Sequence, residues 1–429
     1  MSGGMASGPR AASGGNGVLG AVELRLLLVA FVLATRLPML LYDTHLSKDG
    51  PLYVAALHLD RSYAVPPPGN PGFVLAARLL SVFTRDGGSA YALLGVVLSV
   101  VGILGQFELG RRFFSSALAA AAAAALATST LVWCYATAVE SYLVWLAVFP
   151  ILGATALDTA RGRSRGLPMF LTWAVGILLR PDMLLFGGAV VVAALALGKA
   201  PPRTWIIGLM TAAASILAVV AFMSWVLGGM PEYLATIARQ SAHHAGFGPL
   251  RAGFTEGFVR NLGKWLLFWM WTAPVAILVA LVGSWLQRGR LRAAGRLAIL
   301  AACWVAPALL FSVLQFTGTA GLVFPALPLT YLLAASGAVA MARWSNGRVR
   351  PVTTLLVVAA LSCAQFLFSP LLEVRNQRDA ILNVMFFNYT LNAYTRPGAS
   401  NLSDYGIDAS ARNTLRQLVR PEPLPDRRP

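Results

Sequence analysis

Asp49 is followed by Gly50 and Pro51, so this carboxylate stands at the start of a short predicted helix that Pro51 opens from its first turn. An acid placed there can cap the helix, or it can take a proton from a hydroxyl brought to it. Leu52, Ala55, Ala56 and Leu59 give the same helix an apolar stripe suited to lying along a membrane surface. Asp49 is therefore the candidate catalytic base, held at the boundary between water and lipid. Glu140 falls in a short link between two apolar runs, where an acid is either solvated or binds a polar substrate. Arg180-Pro181-Asp182 interrupts the apolar stretch 168–198, which is too long for one crossing. There Arg180 can hold a phosphate through a bidentate contact. Equally, Arg180 and Asp182 can complement the dipoles of two short helices, with Pro181 starting the second. Tyr53, His58, Tyr142, Asp182, His243 and His244 join Glu140 and Arg180 as candidate substrate-binding side chains.

Metal chemistry is not signalled. His243 and His244 are adjacent and would point differently from a helix, so they do not make a two-histidine ligand set. Cys134, Cys303 and Cys363 sit in or beside apolar runs without paired spacing, as small core residues do. No cofactor motif is present, although a divalent cation would be compatible with the outer acids. Arg239, Gln240, Arg251, Arg260 and Lys264 accompany the two histidines in a segment that reads as a solvated loop, able to contact phosphate or sugar. Trp265, Phe268, Trp269 and Trp271 beside it read as an interfacial aromatic belt.

The elements that carry these residues follow from composition. Of 429 residues, 57% are hydrophobic and 12% charged, against roughly 25% charged in soluble domains. That excludes a soluble globular protein. The formal charge of +17 would suit a nucleic-acid partner, but the basic residues are scattered between apolar runs instead of lining one face, and no nucleic acid is expected. At roughly 20 residues per crossing, the runs predict an all-α polytopic membrane protein with spans near 24–42, 89–110, 115–133, 141–158, 168–179, 183–198, 204–227, 263–286, 297–315, 322–342 and 351–370. Residues 1–22 form a flexible lead without a cleavable signal, 23–370 the transmembrane domain, and 371–429 a short tail. The loops at Arg111 and Arg112, at Arg161, Arg163 and Arg165, at Lys199 and Arg203, and around 288–296 and 343–350 are rich in arginine and poor in acids. They fall on one side, which places the N-terminus in the cytoplasm and segments 43–88, 228–262 and the tail outside. Asn388 and Asn401 head glycosylation-type triplets in that tail. The composition points to a bacterial plasma membrane, or to the endoplasmic reticulum were the host eukaryotic. The charge excess thus reports topology, and the few outer acids report chemistry.

Three stretches together resemble a known family. Asp49-Gly50-Pro51-Leu52 with Pro66-Pro67-Pro68-Gly69-Asn70-Pro71, then Trp133 to Tyr142 with Ala136, Glu140 and Tyr142, then Gly318 to Pro328 with Phe324-Pro325-Ala326-Leu327-Pro328 are similar to motifs of the GT-C superfamily of membrane glycosyltransferases. The protein O-mannosyltransferase-like branch is the closest in pattern. Two positions depart from it: Leu52 or a neighbour stands where a second acid is expected, and Pro66 stands for a histidine. The resemblance implies a GT-C-like fold and transfer of a sugar, mannose-like, from a polyprenyl-phosphate carrier to a protein or glycan acceptor on the outer face, with inversion. One carboxylate can suffice for such a reaction, because the phosphate leaving group needs charge stabilisation and no acid. Two other classes stay open on the residues alone: a flippase or transporter of a lipid or lipid-linked sugar, and a non-catalytic membrane scaffold. Against a transporter stand the lack of an internal repeat and the gathering of polar groups at one interface.

Overall fold

The computed structural model describes residues 19–37, 40, 50–59, 65, 69–84, 86–136, 138–245, 254–288, 295–314 and 320–368. Asp49, Pro66 to Pro68, the lead 1–18 and the tail with Asn388 and Asn401 lie outside them. The described elements are helical: α1 (Ala21–Arg36), α2 (Gly50–Ala56), α3 (Pro71–Leu80), α4 (Gly87–Gly110), α5 (Ser116–Ala127), α6 (Thr130–Tyr135), α7 (Leu143–Ala160), α8 (Leu167–Leu179), α9 (Met183–Leu197), α10 (Pro202–Leu227), α11 (Met230–Ala245), α12 (Phe254–Thr272), α13 (Pro274–Leu286), α14 (Gly295–Leu314), a 3₁₀ segment (Ala320–Ala326), α15 (Leu327–Trp344) and α16 (Pro351–Phe368). The chain is a multi-pass membrane protein. Five stretches are long and apolar enough to cross a bilayer: 87–110, 143–160, 202–227, 295–314 and 320–344. The expected eleven spans also counted α5, α8 and α9, which are apolar but shorter than a full crossing.

Helix packing follows the small residues. The alanine run of α5 is buried against α4 and α16, and α13 meets α15 so closely that a Cβ added to Gly283 would sit 2.0 Å from the Cα of Gly337. Without a hydrophobic force between helices in lipid, such backbone proximity is what makes dispersion contacts dense. On α4, Gly95 faces the Ala136 carbonyl and Gly102 the Leu146 carbonyl, which draws α4 onto the link before α7 and onto α7 itself.

Several sequence expectations change. The run 263–286 is not one straight span: α12 and α13 meet at a 96° bend, because Pro274 has no N–H with which to continue the α12 ladder. Segment 228–262 is mostly helix, comprising α11 and the first turns of α12. Of the α2 stripe, Ala56 is buried and Leu52, Ala55 and Leu59 are half-buried. Tyr53 and Ala56 are buried, with Tyr53 edge-on to Phe73 and Tyr91 at 5.5 and 5.6 Å. The exposed apolar surface of this region is instead Leu79, Val82 and Phe83, beyond the core-facing side of α3. Trp265 and Phe268 also turn inward and are buried, so they are not belt residues.

Candidate functional site

The break between α8 and α9 leaves Arg180 extended (φ −150°, ψ 100°), with its side chain turned into the protein. Proline at 181 and the helix ends on either side explain why the backbone opens here. The guanidinium is almost fully buried, at 9% exposure. Its Nε donates to both Asp182 oxygens at 2.9 and 3.1 Å, and Nη1 donates to Ser141 Oγ at 2.8 Å. Its guanidinium carbon lies over the rings of Tyr142 and Trp145, 4.3 and 4.1 Å from their centroids. Trp145 Nε1 also donates to Asp182 Oδ1 at 3.1 Å, so one indole serves both members of the ion pair. A buried arginine is tolerated when its charge is paired and its donors are filled, as these contacts do.

Ser141 joins this cluster to the first loop. Tyr53 on α2 donates its hydroxyl to Ser141 Oγ at 2.9 Å, and Asn70 Nδ2 donates to the Tyr53 oxygen at 2.7 Å and to Ser141 Oγ at 3.2 Å. Gly69 and Asn70 both have left-handed backbone, φ 99° and 45°, the conformation that glycine and asparagine adopt most readily. That turn swings Asn70 inward just before Pro71 begins α3. Tyr91 on α4 donates to the Tyr53 carbonyl at 2.8 Å, fixing α2 from below. Burial, reinforced by the nearby Glu140 carboxylate, pushes the Tyr53 phenol above its ordinary value, so it stays protonated and able to donate.

The late motif arrives at the same place. A Cβ on Gly321 would fall 2.3 Å from the Tyr142 ring, so glycine is what lets that ring lie on the 3₁₀ backbone. Phe324 packs edge-on against Tyr135 at 5.3 Å, and Tyr135 against Tyr142 at 5.8 Å. Residues near 53–70, 135–145, 180–182 and 321–324 therefore form one contact network at one end of the bundle.

Of the residues singled out from sequence, Tyr53, Glu140, Tyr142, Arg180 and Asp182 are brought together. Glu140 is 7% exposed and close enough to Tyr53 to raise its phenol. Asp49 lies outside the described residues, immediately before the first residue of α2. His58 is exposed after α2, where its carbonyl and that of Leu57 accept from Arg78. His243 and His244 fall in the last turn of α11. Among the described residues no group of three His, Cys, Asp or Glu side chains is placed to hold a metal ion. Sequence reading missed Asn70, Ser141 and Trp145. Asn70 carried a signal, as an asparagine between Gly69 and Pro71 in a turn; Ser141 and Trp145 carried none that a linear pattern reports.

No family model matches the chain, and no curated protein matches it. Among solved structures it is similar to ArnT from Cupriavidus metallidurans bound to undecaprenyl phosphate, at 16% identity and a TM-score of 0.47, over 92% of this chain and 72% of that one. The apo form of the same protein gives 16% identity and a TM-score of 0.48, over 92% and 73%.

Proposed function

We propose that this protein is a GT-C-type membrane glycosyltransferase that moves a mannose-like hexose from a polyprenyl-phosphate carrier to an acceptor hydroxyl on the outer face of a bacterial plasma membrane. The observation that carries the reading is the meeting of the three motif stretches, which lie far apart in the chain, through Asn70 and Ser141 and through Tyr142 and Gly321, with Tyr53 and Arg180 bound to the same serine.

In this reading Asp49 is the base. The acceptor oxygen attacks the anomeric carbon, its proton passes to the Asp49 carboxylate, and the bond from that carbon to the phosphate oxygen breaks with its electron pair leaving on the phosphate. Asp49 directly precedes α2 in the sequence, and α2 is held by Tyr53 to Ser141 and Asn70. Glu140 and Tyr142 border the same region and bind sugar or acceptor. Arg180 supplies positive charge beside the departing phosphate while its Nε and Nη1 hold Asp182 and Ser141; His58, His243 and His244 are further candidates for substrate binding. The carrier lipid reaches the site from the bilayer.

The test is transfer from radiolabelled polyprenyl-phosphate sugars to endogenous acceptors in membranes. Asp49→Asn should abolish transfer while the protein accumulates normally. Undiminished transfer removes Asp49 as the base, and flipping of the donor without any glycosyl product refutes the enzyme. Cells lacking the protein should accumulate the donor, which names the sugar.

A further inference from the structure

At one end of the bundle a charge network joins α1, α4 and α7. Glu108 stands in the last turn of α4, about 25 Å along that helix from Tyr91, so this end is remote from Tyr53 and Arg180. Arg25 of α1 reaches one Glu108 oxygen at 2.6 Å, and Arg111 reaches the other at 3.3 Å. Arg112 holds Asp158 of α7 through Nη2 at 2.7 Å and Nε at 3.2 Å, while its Nη1 donates to the Glu108 carbonyl at 2.8 Å. Both acids are thus engaged. Arg161 and Arg163 lie just beyond α7, and neither guanidinium donates to a described residue. Arg161 instead sits over Phe113, its guanidinium carbon 5.6 Å from the centroid, on a ring that is 40% exposed and tilted against Phe114. Partial burial, with the charges of Arg163 and Arg112 added to it, pushes the Arg161 guanidinium below its ordinary value, although Asp158 works the other way.

Like charges gathered on a partly desolvated surface destabilise one another, and an anion bound among them relieves this. The surrounding elements supply the class of anion. α4 and α7 are long and apolar enough to cross the bilayer, and both end here. After the short link 161–166 the apolar α8 begins, with Leu167 and Leu171 more than half exposed. The link is too short to leave the membrane surface. Its arginines therefore stand at headgroup level with acyl-chain surface beside them, and the planar fork of arginine matches a phosphodiester. We propose that Arg161, on its Phe113 platform, and Arg163 bind the phosphodiester headgroup of an anionic phospholipid. The engaged Arg112–Asp158 pair fixes α4 to α7 behind them, so the two free cations are presented from a braced surface. The site is independent of Tyr53 and Arg180 and stands whether or not the chain is a glycosyltransferase.

The test titrates full-length protein in zwitterionic detergent with phosphatidylglycerol and counts bound lipid by native mass spectrometry. The parent should retain phosphatidylglycerol in preference to phosphatidylcholine. Combining Arg161→Gln with Arg163→Gln should weaken that binding at least about tenfold. This variant leaves the Arg112–Asp158 and Arg25–Glu108 pairs intact, and an unfolding midpoint near the parent's in lipid-free detergent separates lost binding from lost fold. Combining Arg343→Gln with Arg348→Gln removes the same charge at the end of α15 and should bind as the parent does. Four results would overturn the proposal: no preference for phosphatidylglycerol in the parent, undiminished binding by the Arg161 and Arg163 variant, or equal weakening by the Arg343 and Arg348 variant, which would mean diffuse charge and no site. The fourth is capture of poly-glutamate in place of the lipid, which would assign the patch to an acidic protein.

Discussion

Replacing Arg180 by alanine removes four contacts of three kinds at once, and the geometry lets each be weighed. Two ring faces lie 4.1 and 4.3 Å from the guanidinium carbon, worth about 1 kcal/mol each in a partly desolvated place. The charge-assisted bond to Ser141 at 2.8 Å contributes about 1.5–3 kcal/mol. The ion pair adds less, on the order of 1 kcal/mol, because the abandoned Asp182 side chain is 24% exposed and keeps its bond from Trp145. These contacts share atoms and are not additive, so Arg180→Ala should lose about 3–5 kcal/mol. Arg180→Lys keeps the charge. Its compact ammonium cannot contact both ring faces while reaching Asp182 and Ser141, and should lose about half as much, roughly 1.5–3 kcal/mol. Unfolding of the purified protein in mixed micelles, titrated with sodium dodecyl sulfate, measures both. If the lysine variant unfolds like the parent, the charge alone matters, and the argument from the guanidinium's ring contacts is wrong.

Ser141→Ala should lower kcat at least about tenfold with little change in KM if the serine positions α2 and its base, and Ser141→Thr should restore much of it; a change in KM alone would place Ser141 in substrate binding. Tyr53 contributes to a pH dependence of stability. Its folded phenol is raised by burial and by Glu140, so its contribution is complete below the ordinary phenol value of about 10 and is lost as pH rises above it, where only the unfolded chain ionises. Unfolding midpoints of the parent should therefore fall more steeply than those of Tyr53→Phe between about pH 9.5 and pH 11, and parallel curves would refute the burial argument. Trp304→Phe should lose about 1–3 kcal/mol, because the Pro325 carbonyl that its indole bonds at 2.7 Å is left buried and unpaired; an unchanged unfolding curve would show that another donor replaces it.

How far these features could be read from sequence depended on whether a charge marked them. The α8–α9 break was legible because Arg180 and Asp182 stand in an otherwise apolar run, and a charge inside a long span demands a reason. The bend at Ala273 and Pro274 has the same backbone cause, yet apolar residues continue on both sides, so hydropathy passed through it. On α2 the stripe was visible and its direction was not. Period and polarity give a face, but only the structure shows Tyr53, beside that stripe, packed against Phe73 and Tyr91. Ser141 and Asn70 are small polar residues of the kind that cap turns everywhere. Their importance arises from segments 71 positions apart meeting at one hydroxyl, and no local pattern carries that distance.

The aromatic residues near the late motif show the same point from the energetic side. A 3₁₀ segment pairs each N–H with the carbonyl three residues earlier, so a proline leaves that carbonyl open. Pro325 orphans Leu322 in this way, and Pro328 orphans Pro325. Those carbonyls accept indole N–H groups, Leu322 from Trp265 at 3.4 Å and Pro325 from Trp304 at 2.7 Å. A third donor, Gln106 Nε2 on α4, reaches the Pro328 carbonyl at 3.1 Å. Irregular backbone is tolerated at membrane depth only where protein satisfies it, and here side chains from α12, α14 and α4 do so. Trp304 also stacks on Phe149 of α7 and needs the bare Cα of Gly153, where a Cβ would meet its ring at 1.9 Å. The two prolines and the two tryptophans are thus one device. The prolines hold the chain in the tight turn that brings Gly321 under Tyr142, and the indoles replace the hydrogen bonds that this turn gives up.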